Sequence, residues 1–468
     1  MSEFDKAELG TERRPLRVAV VGSGPSGFYA AEALLQSRLK VEVDIIERLP
    51  VPYGLVRFGV APDHAKLKSV TAIFAGIARD TRVRYFGNVT LGMDVSVEQL
   101  IDMYHAVVIS TGAGSDQPLN IDGEELDGVY AARDFVGWYN GHPDCASNSF
   151  DLSQEIVTVV GQGNVAIDVC RILSKSVDEL KETDIAEHAL EALAGSRVKE
   201  IHLVGRRGPV QAKFTPKELR ELGSLVGWQP IVDPNDLKLN LASLDEISNP
   251  NLANAKKNVE ILKGFAEKPR DGRRPLYLDF FQTPVSLSGD CCLRAIVFER
   301  QRLEGKAMSQ VAKGTGERFV RPSGLLFRSV GYRGQEMPGL PFDYRRGVIS
   351  NVDGRVVDAS GVQLPGLYTS GWIKRGPTGI IGTNRACSVD TIARLIEDLP
   401  LLKEDKPGRS ALTEYLDHHK HRYISFSNWL NIEQFELGRG RERNKAAEKL
   451  VNVSEMLEAA TSTESTVA

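Results

Sequence analysis

Three glycines set the strongest constraint on this chain. Gly22, Gly24 and Gly27 fall in the spacing GxGxxG, between the apolar run Val18 to Val21 and a stretch of small and apolar residues, Phe28 to Leu35. The run reads as a buried parallel strand and the stretch as a helix. A second strand, Val41 to Ile46, ends in Glu47, about 20 residues past the last glycine, where dinucleotide folds carry an acid. Each residue type answers a physical need. Gly22 makes the tight turn, Gly24 lets backbone approach a pyrophosphate, and Gly27 lets helix and strand pack closely. The helix N-terminus offers unpaired N–H groups and partial positive charge to phosphate. Glu47 can accept hydrogen bonds from a ribose diol. Strand, fingerprint, helix, strand and acid, in this order, predict a dinucleotide-binding unit.

The pattern returns at Ile156. A strand, Val157 to Val160, leads into Gly161-Gln162-Gly163-Asn164-Val165-Ala166, and a helix runs on to about Leu173. The next strand, Ile201 to Val204, ends in Gly205-Arg206-Arg207-Gly208, with no acid. An acid there would repel a 2′-phosphate, whereas two guanidiniums hold one through charge-assisted bonds. The second unit therefore reads as an NADP(H) site. Residues 174–196, polar and helix-forming, account for the long gap between fingerprint and arginines.

Between and after these units the chain offers further landmarks. The loop LPVPYGLVRFGVAPDH holds three prolines among aromatic and apolar residues, so it is neither a regular helix nor a solvent loop. A helix is expected over 66–79, a short strand over 83–86, a short helix over 95–103, and a strand over 106–109 that ends in Ser110-Thr111-Gly112. Residues 213–224 read as a charged helix. Residues 234–275 show Asn/Pro breaks and a basic run that includes Lys256, Lys257, Arg270, Arg273 and Arg274. Residues 276–330 alternate in short bursts, predicting antiparallel strands. A strand over 366–370 feeds GWIKRGPTGIIGTN and a helix to about Leu399; its glycine-rich start can aim a helix dipole at developing negative charge. Residues 400–468 read as polar and largely helical. His418, His419 and His421 lie there without a partner pattern that would make them a metal site.

Composition narrows the function. The chain has 468 residues, 42% hydrophobic and 26% charged, with a net charge of -4. That suits two or three soluble domains and gives no sign of nucleic-acid binding. No apolar run approaches the ~18 residues of a membrane span. The first residues carry Glu3, Asp5, Glu8 and Glu12 and no apolar core, so a cytoplasmic protein is expected. The five cysteines, Cys145, Cys170, Cys291, Cys292 and Cys387, form no CxxC pair and no cluster spacing. Any iron–sulfur acceptor must then sit on another protein.

Four stretches in fixed order, GSGPSG, VPYGLVRFGVAPDH, GQGNVAIDVCRIL with VGRRGPVQAKFT, and GWIKRGPTGIIGTN, resemble the adrenodoxin reductase-like ferredoxin–NADP reductases. The tail FSNWLNIEQFELGRGRERNKAAEKLV is similar to that family's C-terminus. Generic flavin disulfide reductases carry Gly-Asp where this chain has Gly371-Trp372, and a CxxC that it lacks. The resemblance implies an α/β fold with two Rossmann-like domains, a glutathione reductase-like flavoprotein whose FAD domain is discontinuous. Its expected parts are a disordered lead (1–14), an FAD-binding domain (15–115 and 325–400), an NADP-binding domain (116–324) and a helical extension on the FAD domain (401–468).

The same resemblance implies site residues. For FAD they are Gly22, Gly24, Ser26, Gly27, Glu47, Leu55, Leu91, Trp372, Gly379, Ile380 and Ile381. For NADP they are Gln162, Gly163, Asn164, Val165, Arg206, Arg207 and Glu218, with Gly379 at the nicotinamide. His64 and Glu221 match positions near the active site. Ser26 departs from the alanine of many members. The implied activity passes a hydride from NADPH to FAD, then single electrons to an acidic ferredoxin, with docking expected at the five basic residues named above. The chain is expected to be a monomer or weak oligomer. The rival readings are an NADPH diaphorase or quinone reductase, the electron-input subunit of a glutamate synthase-like complex, and a flavin-free NADP-binding protein. The glutamate synthase subunit needs N-terminal cluster cysteines, and none precedes Cys145. The flavin-free protein would leave the intact first fingerprint unexplained.

Overall fold

The computed structural model describes residues 8–461. The chain forms two units, one from Met1–Ser115 and Tyr332–Ala468, the other from Asp116–Gly331.

The first unit is built on a seven-stranded sheet. Strand β1 (Leu16–Val21) pairs in parallel with β2 (Val41–Glu47), and β2 with β3 (Val83–Gly87). On its other side β1 pairs in parallel with β4 (Ala106–Ile109), which pairs with Gln363–Thr369 from the returning chain. Antiparallel strands Arg355–Val357 and Asn351–Val352 finish that edge. The central strands are apolar on both faces because both are covered. Val18 and Val20 pack with Phe28, Ala31 and Leu34 of helix α1 (Pro25–Leu35), while Ala19 and Val21 face Ile109, Leu367 and Ile373.

Three expectations for this unit need correction. Residues 8–14 are folded: Leu9 is buried, Gly10 accepts a bond from the Lys40 N–H at 2.8 Å, and Arg14 pairs with Asp405 at 2.6 Å. Residues 1–7 of the expected lead lie outside the described residues. The helix expected over 66–79 is two helices, Ala65–Lys68 and Thr71–Ala78. Ser69 and Thr71 hydroxyls bond back to the Lys66 and Lys68 carbonyls at 2.8 and 2.9 Å, competing with the helical ladder. The chain returns to this unit at Tyr332, not 325, because Leu325–Arg328 is a strand of the other sheet. The segment past 400 forms helices Arg409–His418, Phe426–Glu442 and Val453–Thr461, and Trp429, Ile432 and Met456 join the core under β1.

The second unit holds a six-stranded, all-parallel sheet. Its spatial order is Val129–Ala131, Leu325–Arg328, Ile156–Val160, Glu200–Val204, Arg274–Asp279 and Trp228–Ile231. Only Gln282–Ser288, Ala295–Glu304 and Val311–Pro322 form the antiparallel meander expected over 276–330; the strands on either side of it are parallel. The irregular stretch 234–275 contains two helices, Leu241–Ser248 and Ala253–Ala266.

Candidate functional site

In the first unit the glycines do three different things. Gly22 takes φ +105, and a Cβ there would stand 2.6 Å from the Ser110 carbonyl oxygen. A Cβ on Gly27 would stand 1.9 Å from the Gly22 oxygen, so α1 packs on its own turn. A Cβ on Gly24 would meet nothing within 4 Å; the turn is open on that side, at the N-cap of α1. Pro25 follows at the first helical position, where its missing N–H costs nothing. Glu47 ends β2 beside the turn. Its Oε2 accepts from the Ser23 N–H at 3.0 Å and the Ser23 hydroxyl at 2.7 Å, and its Oε1 from the Leu49 N–H at 3.1 Å. The acid expected for a ribose thus also satisfies the buried donors of the turn.

The end of β4 and the returning chain face the same turn. Ser110 is buried and its hydroxyl has no protein partner, and Gly112, at φ +77, is open. The strand Gln363–Thr369 leads through Gly371, at φ +78, to the short helix Trp372–Arg375, and Gly379, at φ +84, precedes the long helix Ile381–Glu397. Ile380, at the start of that helix, is 65% exposed. The Trp372 indole N–H is buried without a protein partner, and its ring lies 5.5 Å from that of Tyr332. Two helix N-termini, the open sides of Gly24 and Gly112, and two orphaned polar atoms fit a group with a pyrophosphate and a polar ring system, as FAD has.

Other expected residues are placed differently. The Ser26 hydroxyl does not face the open side. It bonds Ser370 at 2.9 Å and Ser388 at 3.1 Å, these two bond each other at 2.9 Å, and Ser388 donates to the Ser26 carbonyl at 2.9 Å. This closed triangle ties α1 to the helix Ile381–Glu397. The Leu91 side chain is buried in the core with Phe86 and Val89, so only its backbone is available to a ligand. Leu55 is 38% exposed and opens a short helix, Leu55–Phe58, behind Gly54 at φ +49. His64 is buried at the head of Ala65–Lys68, its N–H bonded to the Ala61 carbonyl at 3.0 Å.

The second unit repeats the turn with other partners. Gly161 takes φ +135, and a Cβ there would stand 2.1 Å from the Ser329 oxygen. Gly163 is open, at the N-cap of Asn164–Ser174. The Asn164 side chain accepts from the Thr215 N–H at 2.8 Å, tying the turn to helix Pro216–Leu222. The Gln162 amide covers Gly205 and donates to the Asp279 carbonyl at 3.2 Å, so its side chain serves the fold. Val165 packs against the core of this unit. Arg206 is exposed and Arg207 half-buried; burial, then the charge of Arg206, hold the Arg207 guanidinium below its usual range. The charge of Glu246 offsets part of the repulsion between these two adjacent cations. Glu218 is buried in the first turn of Pro216–Leu222. Glu221, on the same helix, pairs with Arg171 at 3.0 Å and Lys217 at 3.7 Å, so it is a balanced charge and not a free base.

The family description pyridine nucleotide-disulphide oxidoreductase matches residues 16–222. NADPH-ferredoxin reductase FprA of Mycobacterium tuberculosis is 43% identical over 95% of this chain and 99% of its own length. The mitochondrial NADPH:adrenodoxin oxidoreductase of Bos taurus is 44% identical over 96% of this chain and 93% of its own. The solved structure of M. tuberculosis FprA in complex with NADPH superposes with a TM-score of 0.89 at 42% identity, covering 96% of this chain and all of that one. This chain belongs to the NADPH–ferredoxin and adrenodoxin reductase family. It has the family's two-dinucleotide α/β fold, but the disulphide in the broader description has no counterpart. Cys145, Cys170 and Cys387 are buried, and Cys291 and Cys292 are adjacent in sequence.

Several residues that build this reductase fold went unread in the sequence. Asp168 and Arg171 pair at 2.8 Å on the helix after the second fingerprint and receive Glu221; their i, i+3 spacing was a usable signal. Arg57, in the proline-rich loop, pairs with buried Glu436 at 2.6 Å and lies 5.1 Å from the Trp429 ring. The C-terminal segment thereby braces the loop that follows Glu47.

Proposed function

We propose that this protein is an FAD-dependent NADPH–ferredoxin reductase that feeds electrons to haem monooxygenases or other ferredoxin-dependent enzymes. The observation that carries this is similarity along the whole length to reductases named for NADPH and for ferredoxin or adrenodoxin. The two glycine cradles give it physical content. When bound, FAD supplies the conversion between a two-electron donor, NADPH, and a one-electron iron–sulfur acceptor. The chain's own task is to bind and orient. Gly22 to Gly27 and the N-terminus of α1 would hold the FAD pyrophosphate, Glu47 the ribose, and Trp372 with Gly379 to Ile381 the flavin. Gly163 to Val165 would hold the NADPH pyrophosphate and Arg206 and Arg207 its 2′-phosphate. Gly379 is assigned to the nicotinamide, and Glu218 to the neighbourhood of the 2′-phosphate. His64 is assigned an orienting role, and Glu221 charge balance through Arg171.

The acceptor is proposed to be an acidic ferredoxin. Lys256 and Lys257, exposed on Ala253–Ala266, and exposed Arg270 present the basic docking face. Arg273 and Arg274 support it less directly, since Arg273 pairs with Asp271 at 2.6 Å and Arg274 lies 4.4 Å over the Trp228 ring. No helix among the described residues is long and apolar enough to cross a membrane; a cytoplasmic location and a monomer or weak oligomer are proposed.

Cytochrome c reduction tests the reading, with NADPH or NADH and with or without a ferredoxin. A strong, salt-sensitive stimulation by ferredoxin with NADPH far ahead is expected. Fast quinone reduction indifferent to every ferredoxin tried would make the protein a diaphorase instead.

A further inference from the structure

We propose that Cys291 and Cys292 form a vicinal dithiol site that captures trivalent arsenicals. The two thiols stand 3.4 Å apart, with Cys291 exposed and Cys292 half-buried. They lie in the turn between strands Gln282–Ser288 and Ala295–Glu304.

Backbone bonds hold this turn from both sides. The Asp127 N–H donates to the Cys291 carbonyl at 3.1 Å, and the Leu293 N–H donates to the Asp127 carbonyl at 2.8 Å. A Cβ on Gly289 would stand 1.9 Å from the Cys292 carbonyl oxygen, so only glycine lets the chain close there. Leu293 anchors the turn in the core beneath. The thiols are therefore presented together on a fixed backbone, which lowers the ordering cost of gripping one atom with both. The hydrogen bond between the two thiols raises the Cys292 pKa above its usual range.

Two other fates suit the geometry less well. Neighbouring Cα atoms stand about 3.8 Å apart, inside the ~4.4 Å lower limit of ordinary disulfides. A structural zinc ion needs four ligands, and among the described residues no cluster of three metal-ligating side chains includes this pair. A trivalent arsenical brings its own organic substituent and needs only two thiols. With an arsenoxide, two As–S bonds form and the As=O bond breaks. Both thiol protons leave with that oxygen as water, arsenic stays trivalent, and no electron is transferred.

The test uses the FAD-loaded full chain and phenylarsine oxide, followed by intact mass and native thiol titration. One arsenical per chain is expected, masking two thiols, released by 2,3-dimercaptopropanol and retained in glutathione. The other three cysteines are buried and stay silent. Cys291→Ser and Cys292→Ser should each weaken capture about tenfold or more by removing the chelate, with flavin absorbance and NADPH oxidation unchanged. An adduct of full affinity in either variant, release by glutathione alone, or no adduct on the wild-type protein would overturn the proposal.

Discussion

Two strand–glycine–helix–strand units occur in this chain, and they differ most where the second strand ends. The first ends in Glu47, whose oxygens already accept two bonds from Ser23 in the turn and one from the Leu49 N–H. The second ends in Arg206 and Arg207, whose charges oppose each other. The first turn is thus largely satisfied before any ligand arrives and is braced from afar by Ser370, Ser388 and, through Arg57, Glu436. The second keeps a repulsion that Glu246 offsets only in part and that an anion would relieve further. One cradle suits a resident cofactor, the other a nucleotide that comes and goes.

The sharpest test separates glycines that the fold needs from glycines that a ligand needs. Gly27→Ala and Gly161→Ala place a Cβ 1.9 and 2.1 Å from backbone oxygens, and each should cost its unit about 4 kcal/mol, read in thermal unfolding. Gly24→Ala and Gly163→Ala meet nothing within 4 Å. They should leave the transition within about 2 °C and instead loosen FAD or raise the KM for NADPH. Unchanged FAD retention in Gly24→Ala would remove the pyrophosphate from that turn.

The units also share a liability, a buried aspartate. Burial pushes the carboxyls of Asp44 and Asp236 up to about 6, against the pull of Arg409 and of the Phe280 N–H respectively. A raised carboxyl binds more protons in the folded state, so its contribution falls as pH rises from about 4 to about 6 and is flat above 7. Asp44→Asn and Asp236→Asn should each remove a slope worth about 2 kcal/mol across that window, measured as the difference in unfolding free energy from wild type at pH 4.5 and 7.5. Equal changes at both pH values would show that the carboxylates stay ionised throughout.

Nucleotide choice is the next, smaller effect. Removing one charge-assisted contact costs about 1.5–3 kcal/mol. Arg207→Ala should therefore raise the KM for NADPH about 10- to 100-fold and leave NADH almost untouched. Equal losses for both nucleotides would place the arginines away from the 2′-phosphate and erase the distinction between the two strand ends.

Both units were legible because their signals are local. An apolar run, a glycine spacing and the residue ending the next strand lie between Val18 and Glu47 in the first unit, and between Val157 and Arg207 in the second, where residues 174–196 lengthen the gap. What escaped was non-local or masked. Ser26 meets Ser370 and Ser388 across 344 and 362 positions, and Arg57 meets Glu436 across 379; no spacing rule reaches that far. The helix Ala253–Ala266 was legible in principle, since Ala255, Val259, Leu262 and Phe265 form one buried face. Its exposed lysines, Lys256 and Lys257, overlay that apolar period with charge. The strand Arg274–Asp279 was hidden by the basic run that leads into it.

The smallest expected effect concerns Ser26 and its counterpart in the second turn, Val165. Val165 packs against its unit's core, whereas Ser26 spends its hydroxyl on a triangle. In Ser26→Ala the Ser370–Ser388 bond and the bond from Ser388 to the residue 26 carbonyl, both 2.9 Å, remain. The loss should be about 1 kcal/mol, seen as a small drop in the melting temperature of the first unit. FAD retention and turnover should be unchanged, because the hydroxyl points into the helix pair and not toward the open side of Gly24. If Ser26→Ala instead released FAD without lowering stability, the hydroxyl would be a cofactor contact. The first cradle would then rely on its ligand for a polar group that the second never needed.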